Sequence, residues 1–280
     1  MTQAEGDWLT VRRGEAPLIV SLPHTGTEVP AEIEAQVVSP WLAGRDADWW
    51  VDRLYAFAAD LGASLIHTDV SRTVIDVNRD PSGVSLYPGA ATTGLCPTTT
   101  FDGEPLYRAG LAPSAAEIAR RRAAWFDPYH AALETEIARV RALHGSLVLY
   151  DAHSIRSRIP RLFEGELPNF NIGTNSGASC DPALTSAVEA ACAASAFSRI
   201  TDGRFKGGYI TRRHGAPAAG VHAIQMELAC RGYMAEPEMP GPDNWPAPFD
   251  VAFAAPMTRT LVGALRACLD FAATAPRPRP

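Results

Sequence analysis

The sequence predicts a single three-layer α/β domain, in which helices cover both faces of a mixed, mostly parallel sheet. Strand-like apolar runs and helix-like apolar spacings alternate through the whole chain without an intervening linker. Apolar residues make up 46% of the 280 residues and charged residues 20%, which is typical of a globular protein with a large core. We therefore expect one domain over residues 1–274, followed by a disordered tail over residues 275–280.

Charge and cysteine content argue against several classes of protein. The formal net charge is −6 and there is no basic block, so a protein that binds nucleic acid through its phosphates is disfavoured. The five cysteines include no Cys-x-x-Cys pair, which favours a reduced, cytoplasmic protein over a disulfide scaffold or a zinc ribbon. The N-terminus lacks the pattern of a signal peptide, and no apolar run approaches the ~20 residues of a membrane span. We expect no membrane partner, and the sequence leaves open whether the protein forms a homo-oligomer.

The N-terminal part of the chain contains strand-like segments around one helix-like segment. Within the latter, Trp50, Leu54, Phe57 and Leu61 recur at steps of four, three and four residues, and Gly62 suits a helix C-cap. The expected elements are a leading strand or arm within residues 1–13, strands over residues 17–22, 63–70 and 73–78, and a helix over residues 46–61.

A capping box, Ser114-Ala115-Ala116-Glu117, begins the second part with a helix that reaches about Leu143. Pro128 should kink or split this helix, and Gly145 should end it. Residues 82–113 are rich in Gly, Pro and Thr, and we interpret them as a long loop that forms an active-site lid. The other expected elements are strands over residues 147–150, 168–174, 198–201, 208–211 and 221–228, and helices over residues 182–196 and 257–273.

Polar side chains come directly after two of these strands. His24 comes just after the strand over residues 17–22, and Asp151 and His153 come just after the strand over residues 147–150. Ligands of open α/β sheets gather outside the carboxyl ends of the strands. Taken singly, His24 could be a polar loop residue and the Asp-x-His could cap the next turn. Glu227 is harder to explain, because a Glu inside an apolar strand is costly to bury without a partner or a task.

Other acidic and basic residues complete a candidate hydrolytic site. Asp46 and Asp48 both precede the helix over residues 46–61, yet capping that helix needs only one of them. Catalytic zinc commonly has three ligands of histidine and carboxylate type, and a nearby Glu then acts as general base. The arginines that could bind an anionic substrate are Arg72, Arg79 and Arg213.

Six short blocks stand in order over about residues 15–240 of the sequence. The blocks are Pro23–Gly26, Asp48–Leu54, Ser71–Arg72 with Asp76–Arg79, Asp151–Ser154, Lys206–Thr211 and Gln225–Glu227. Together they resemble the N-formylglutamate amidohydrolase (deformylase) family, which is related to zinc carboxypeptidases and aspartoacylases. The resemblance implies a zinc-carboxypeptidase-like fold and metal-dependent hydrolysis of N-formyl-L-glutamate to formate and L-glutamate, a step in histidine degradation.

The resemblance also implies roles for residues in these blocks. One divalent metal, most simply Zn²⁺, is expected on His24, Asp48 and His153, with Asp151 orienting a ligand or an arginine. Glu227 is the expected general base, and Arg72 is expected to stabilise the oxyanion. Asn78 and Arg79 are expected to bind the α-carboxylate of the substrate.

Three points stay open at this stage. The assignment of Arg213 to the side-chain carboxylate of the substrate rests only on charge and position. Related enzymes have a metal-binding Glu three residues after the first His, where this chain has Thr27, so Glu28 is the alternative to Asp48. The alternative functions are hydrolysis of N-formylaspartate or N-formimidoylglutamate, and non-catalytic binding of an acidic metabolite.

Overall fold

The computed structural model describes residues 8–85, 89 and 92–275, and a seven-stranded sheet runs through them. The strands are β1 (Leu9–Arg12), β2 (Leu18–Leu22), β3 (Ser64–Thr68), β4 (Leu147–Ile155), β5 (Phe170–Gly173), β6 (Arg199–Thr201) and β7 (Val221–Ala229). Their order in the sheet is β1-β3-β2-β4-β7-β5-β6. The pairs β2/β3, β2/β4, β4/β7 and β5/β6 are parallel, whereas β1/β3 and β5/β7 are antiparallel. The expectation of a mixed, mostly parallel sheet is therefore confirmed.

Helices pack against both faces of this sheet. Because successive strand residues point to opposite faces, Val148 and Tyr150 of β4 join one apolar core while Leu147 and Leu149 join the other. The helices are α1 (Ala31–Glu34), α2 (Pro40–Gly44), α3 (Val51–Leu54), α4 (Ala115–Arg121), α5 (Asp127–His144), α6 (Pro182–Ala193), α7 (Tyr209–His214) and α8 (Val251–Thr274). The first core includes residues of α3, α6 and α8, and the second includes residues of α5 and α7.

The long helix expected after Ser114 is interrupted, as its sequence predicts. The Ser114 hydroxyl accepts the Glu117 N–H at the start of α4, and Gly145, with φ of 80°, ends α5. A π-helical turn over Arg122–Phe126 separates the two helices just before Pro128. The proline ring would clash with the carbonyl four residues earlier in a regular helix, so the wider turn relieves that contact.

Three expected elements are wrong. Residues 71–79 form turns and not a strand. Polar and apolar residues alternate there, but both kinds are buried, so the alternation does not mark a buried and an exposed face of a strand. Residues 209–214 form α7 where a short strand was expected. The helix expected over residues 46–61 is only α3 followed by a 3₁₀ turn at Ala56–Ala59, since Trp50 is left-handed with φ of 65° and precludes an earlier start.

A long segment without helices or regular strands in its described residues separates β3 from α4. Within residues 82–113, the described residues form isolated bridges, such as Thr99 with Pro105, and no helix or regular strand. The tail expected over residues 275–280 falls outside the described residues from position 276 onward. No helix in the described ranges is long and apolar enough to cross a membrane.

Candidate active site

A polar row crosses the three central parallel strands on the face that carries α5. In the register of the sheet, Ser21 of β2 lies beside Asp151 of β4, and Asp151 lies beside Gln225 of β7. One step further along, His153 of β4 lies beside Glu227 of β7. Asp151 and His153 therefore belong to β4 itself, which extends to Ile155 and not only to residue 150. Because alternate residues of a strand point to the same face, these polar side chains lie on a common face of the sheet.

Three buried side chains converge beside this row. His24 follows β2, Asp48 precedes α3 and His153 lies in β4, and each is at most 3% exposed. The Nδ1 atoms of the two histidines are 3.1 Å apart. Asp48 Oδ2 is 3.1 Å from His153 Nδ1 and 3.7 Å from His24 Nδ1. Two nitrogens and one oxygen thus face a common point.

Carboxylates orient both imidazole rings from behind. Asp76 Oδ1 lies 2.7 Å from His24 Nε2, and Asp151 Oδ2 lies 3.1 Å from His153 Nε2. Ser21 donates its hydroxyl to Asp151 Oδ1 at 3.1 Å, which fixes that carboxylate in turn. Histidines that bind a metal typically donate their other N–H to a carboxylate in this way. The expectation that Asp151 orients a ligand thus has a geometric basis.

The convergent group fits a divalent cation. Burial alone would lower the pKa of His153, but the adjacent Asp151 and Asp48 carboxylates raise it well above its ordinary value. Burial lowers the pKa of His24, and the Arg72 charge adds to that effect. Asp48 Oδ1 is buried without a hydrogen-bond partner. The donors are of the type that catalytic zinc sites use, and a cation bound by the two facing nitrogens and the Asp48 carboxylate would give this buried carboxylate a partner.

The third member of the group is Asp48 and not Glu28. The side chain of Asp48 does not cap α3; its Oδ2 atom instead accepts the Ser154 N–H at 3.1 Å. Among the described residues, the convergent metal-type group contains His24, Asp48 and His153, whereas Glu28 is exposed. This placement favours Asp48 over Glu28 as the third ligand, and the assignment stays a prediction.

Glu227 stands next to this group with the properties of a general base. It is 7% exposed, and Gln225 donates its Nε2–H to Glu227 Oε2 at 3.2 Å. Burial raises the pKa of Glu227 to about 7, with His153 opposing the shift and Asp48 adding to it. A general base works best when its pKa lies near the operating pH.

A pocket opens onto these groups. Arg72 and Arg79 reach it from the turn after β3, where Asp76 accepts from Arg72 Nη2 at 2.7 Å and lies 3.6 Å from Arg79 Nε. Asn78 donates Nδ2–H to Asp151 and accepts the Ile210 N–H, so its amide joins β4 to α7. The lining includes His24, Arg72, Asn78, Arg79, Thr92, Thr93, Phe101, His153, Arg204, Phe205, Gln225 and Glu227.

The structure does not bring Arg213 to this pocket. Because residues 209–214 are helical and not extended, Arg213 points to the surface, where it is 54% exposed and pairs with Glu134 at 3.0 Å. Arg204 and Phe101 line the pocket instead, and sequence reasoning missed both. The available signals were weak: Arg204 lies two residues before the Lys206-Gly207-Gly208-Tyr209 block, and Phe101 lies in the loop interpreted as a lid.

Comparisons with known proteins agree on one family. The N-formylglutamate amidohydrolase family model matches residues 16–234. N-formylglutamate deformylase of Pseudomonas aeruginosa is 51% identical over 229 residues, which are 81% of this chain and 86% of the relative. The same-named protein of Pseudomonas putida is 48% identical over 231 residues, 82% and 86% of the two chains.

A solved structure also shares the fold. N-formylglutamate amidohydrolase from Ralstonia eutropha superposes with a TM-score of 0.75 over 93% of this chain and 97% of the other. Its sequence is 24% identical, so this match speaks for the architecture alone. The mixed sheet with helices on both faces is thus an architecture that known proteins share.

Proposed function

The chain belongs to the N-formylglutamate amidohydrolase family, and from that premise we propose that it hydrolyses N-formyl-L-glutamate to formate and L-glutamate. The observation that carries the proposal is a buried His24/Asp48/His153 group with Glu227 beside it, in a pocket that several arginines line. A dianionic substrate suits such a pocket, because guanidinium groups bind carboxylates in a planar, two-pronged geometry.

We infer that the group holds one divalent cation, with Zn²⁺ as the best match to two imidazole nitrogens and a carboxylate oxygen. Such a cation supplies Lewis acidity, which polarises the formyl carbonyl and makes water a stronger acid. The donor set supports this assignment, as do the carboxylates behind both rings.

The proton steps fall to Glu227. In its ionised form this carboxylate accepts a proton from the water that attacks the formyl carbon. As the C–N bond breaks, Glu227 returns the proton to the leaving nitrogen, which departs as the amino group of glutamate. The hydrogen bond from Gln225 holds Glu227 Oε2 in position, and Gln225 is itself held by the Gly208 N–H, which donates to its Oε1 at 2.7 Å.

The arginines and Asn78 would then act on the substrate's charges. Arg72 lies between Asp76 and Asp48, with Nη1 3.7 Å from Asp48 Oδ1, so its positive charge is close to where the oxyanion develops. Asn78 and Arg79 stand next to the histidines in the pocket wall and are proposed to bind the α-carboxylate. The formyl group and the α-carboxylate are neighbours in the substrate, as Asn78 and His153 are in the pocket.

The physiological setting is part of the proposal. The family resemblance suggests a role in histidine degradation, and five buried free thiols suit a reducing compartment such as the cytoplasm. The relatives that are 51% and 48% identical carry the N-formylglutamate name, which supports that substrate over N-formylaspartate or N-formimidoylglutamate.

The deciding experiment joins a formate-release assay to metal analysis of the purified protein. N-formyl-L-glutamate, N-formyl-L-aspartate and N-formimidoyl-L-glutamate are compared at equal concentration with added Zn²⁺. Release of the free amino acid is measured beside formate, because hydrolysis of the formimidoyl compound gives formamide in place of formate. We expect the first substrate to have the highest kcat/KM and to release formate and L-glutamate in equal amounts, with about one metal ion per chain. Release of an amino acid from none of the substrates would refute the proposal, and a clear preference for another of them would replace N-formyl-L-glutamate as the proposed substrate.

A further inference from the structure

A buried tyrosine hydroxyl joins the residues that directly follow two of the three members of the convergent group. Tyr233 lies shortly after β7, and its side chain is fully buried. Its hydroxyl donates to the Trp49 carbonyl at 2.9 Å and lies 2.9 Å from the Ser154 hydroxyl. Because Trp49 follows Asp48 and Ser154 follows His153, this one hydroxyl links the two segments that carry these side chains.

Asp48 depends on such contacts because it lies on an irregular segment. Two positions later, the backbone of Trp50 is left-handed, with φ of 65°. This conformation costs free energy for a residue other than glycine, so it persists only where surrounding contacts fix it. The Trp50 indole donates to the Ala247 carbonyl at 2.8 Å, and the Tyr233 hydroxyl binds the carbonyl of the preceding Trp49. Together these contacts hold the strained segment that carries Asp48.

The same hydroxyl lies close to the connection that fixes the Asp48 carboxylate. Asp48 Oδ2 accepts the Ser154 N–H at 3.1 Å and lies 3.1 Å from His153 Nδ1. The Asp48 N–H donates to the His24 carbonyl at 2.9 Å. Asp48 is therefore tied to His24 through its backbone and to β4 through its carboxylate. Tyr233 joins both ends of the second connection, since it contacts the residue after Asp48 and Ser154 itself.

We propose that Tyr233 is a positioning residue, which fixes the Asp48 carboxylate relative to the His153 imidazole and thereby raises the affinity of the site for its divalent cation. The inference rests on the metal site of the proposed function and adds to it a residue outside the convergent group. Without the hydroxyl, the Trp49 carbonyl loses this donor and the segment of Asp48 can move relative to β4. Loss of a group that orients metal ligands typically weakens metal binding by about 10–100-fold.

The test measures the affinity of the metal-depleted protein for Zn²⁺ by competition with a chromophoric chelator. Tyr233→Phe removes only the hydroxyl, and we expect it to raise the Kd for Zn²⁺ by at least ~10-fold. Tyr55→Phe is the matched control, because it removes a buried hydroxyl of the same apolar core, which bonds with the Tyr150 hydroxyl at 3.1 Å. Both variants lose a buried hydrogen bond, but the Kd of the control should stay within ~2-fold of the wild type.

The absorption spectrum of the Co²⁺-substituted protein gives a second readout, because its bands depend on the geometry of the ligands and not on overall stability. We expect the bands to shift in Tyr233→Phe and to stay unchanged in Tyr55→Phe. Ser154→Ala removes the hydroxyl beside Tyr233 and keeps the N–H that Asp48 accepts, so it should raise the Kd by ~3-fold. If Tyr233→Phe does not fold, a wild-type Kd in Ser154→Ala overturns the inference.

The outcomes separate this inference from the proposed activity. An unchanged Kd in Tyr233→Phe, or an equal rise in Tyr55→Phe, would overturn the inference while Zn²⁺ binding by the wild type stands. None of these measurements needs turnover, so a wild type that binds Zn²⁺ but releases no formate would refute only the proposed activity. A wild type that binds neither Zn²⁺ nor Co²⁺ would refute the metal site and the role of Tyr233 together.

Discussion

The Nδ1 atoms of His24 and His153 face each other across 3.1 Å, while a different carboxylate lies behind each ring. If both Nε2 atoms donate to Asp76 and Asp151, both Nδ1 lone pairs point at the same place. Two lone pairs and the Asp48 carboxylate repel one another unless a positive charge lies between them. The arrangement therefore demands a cation or a proton, and this is the basis of the first prediction.

We predict that the protein binds about one divalent ion per chain and that His153→Ala and Asp48→Asn each lose most of it. Metal content after gel filtration, together with Zn²⁺ titration of the apo protein, measures the effect. Glu28→Gln is the matched comparison, because Glu28 is exposed and outside the convergent group. Loss of metal in Glu28→Gln with retention in Asp48→Asn would contradict the ligand assignment.

We predict that Glu227→Gln lowers kcat by ~10²–10⁴-fold while metal content stays unchanged. Because the raised pKa of Glu227 is about 7, the base is ionised only above that value, and wild-type kcat/KM should rise as pH increases through it. A bound cation favours the carboxylate form and would move this rise to lower pH. The pH profile of Glu227→Gln should lack the rise; near-normal turnover in this variant would remove Glu227 from the base role.

How far the sequence predicts this site depends on whether a regular element carries the residue. Asp151, His153 and Glu227 lie on two adjacent strands, where a period of two fixes the face and parallel pairing fixes the neighbour. Their proximity could therefore be expected from apolar strands that each contain acidic or histidine side chains. The same rule predicts that Gln225 shares a face with Glu227, and the structure shows the hydrogen bond between them.

Residues on irregular segments could not be placed in this way. The turn at residues 71–79 alternates like a strand, since its residues divide between a buried core and a buried polar network. Asp48 precedes a short helix, where capping was an equally good explanation until the family resemblance was added. Arg204 and Phe101 lie on long loops that line the pocket. A loop has no periodic pattern from which the position of its side chains could be predicted.

We predict that the buried pair of His130 and His214 makes folding sensitive to acid. His130 Nε2–H donates to the Val77 carbonyl at 2.8 Å, and its Nδ1 is 3.2 Å from His214 Nε2, so the pair is bonded in its neutral form. Burial lowers the pKa of His214 to about 3, and the His130 charge adds to that shift. Between pH ~6.5 and ~3 the unfolded chain binds a proton at His214 that the folded chain does not bind. The free energy of unfolding therefore decreases as the pH is lowered through this interval.

Urea unfolding at pH 7.5 and pH 5 measures this dependence. Over that interval His214 alone should account for a loss on the order of 2 kcal/mol, and His214→Gln should show a smaller difference between the two pH values. His144→Gln is the matched comparison, since His144 ends α5, the helix that carries His130, and is only half-buried. An undiminished difference in His214→Gln would contradict the prediction, whatever the absolute stability of the variant.

Our last prediction concerns Asp102, which holds the neighbouring Phe101 over Arg72. Asp102 accepts from Arg45 at 2.8 Å and from Arg156, and both arginines are under 10% exposed. The Phe101 ring then lies 4.8 Å from the Arg72 guanidinium carbon in the pocket. We expect Asp102→Asn to lower kcat by ~10-fold with a smaller change in KM. The contact between the Arg72 guanidinium and the Phe101 ring is modest in strength, so it weakens when the loop that carries Phe101 is held less firmly.

Glu104→Gln provides the control for this effect, because Glu104 pairs with Arg45 from a half-exposed position and does not touch Arg156. Its kinetics should stay within ~2-fold of the wild type, because Glu104 is half-exposed and Asp102 still balances the charge of Arg45. Phe101→Leu should reproduce the kcat loss of Asp102→Asn, and the double variant should lose little more, since both changes remove the same contact with Arg72. Additive losses in the double variant would show that Asp102 acts on activity by a route that does not pass through Phe101.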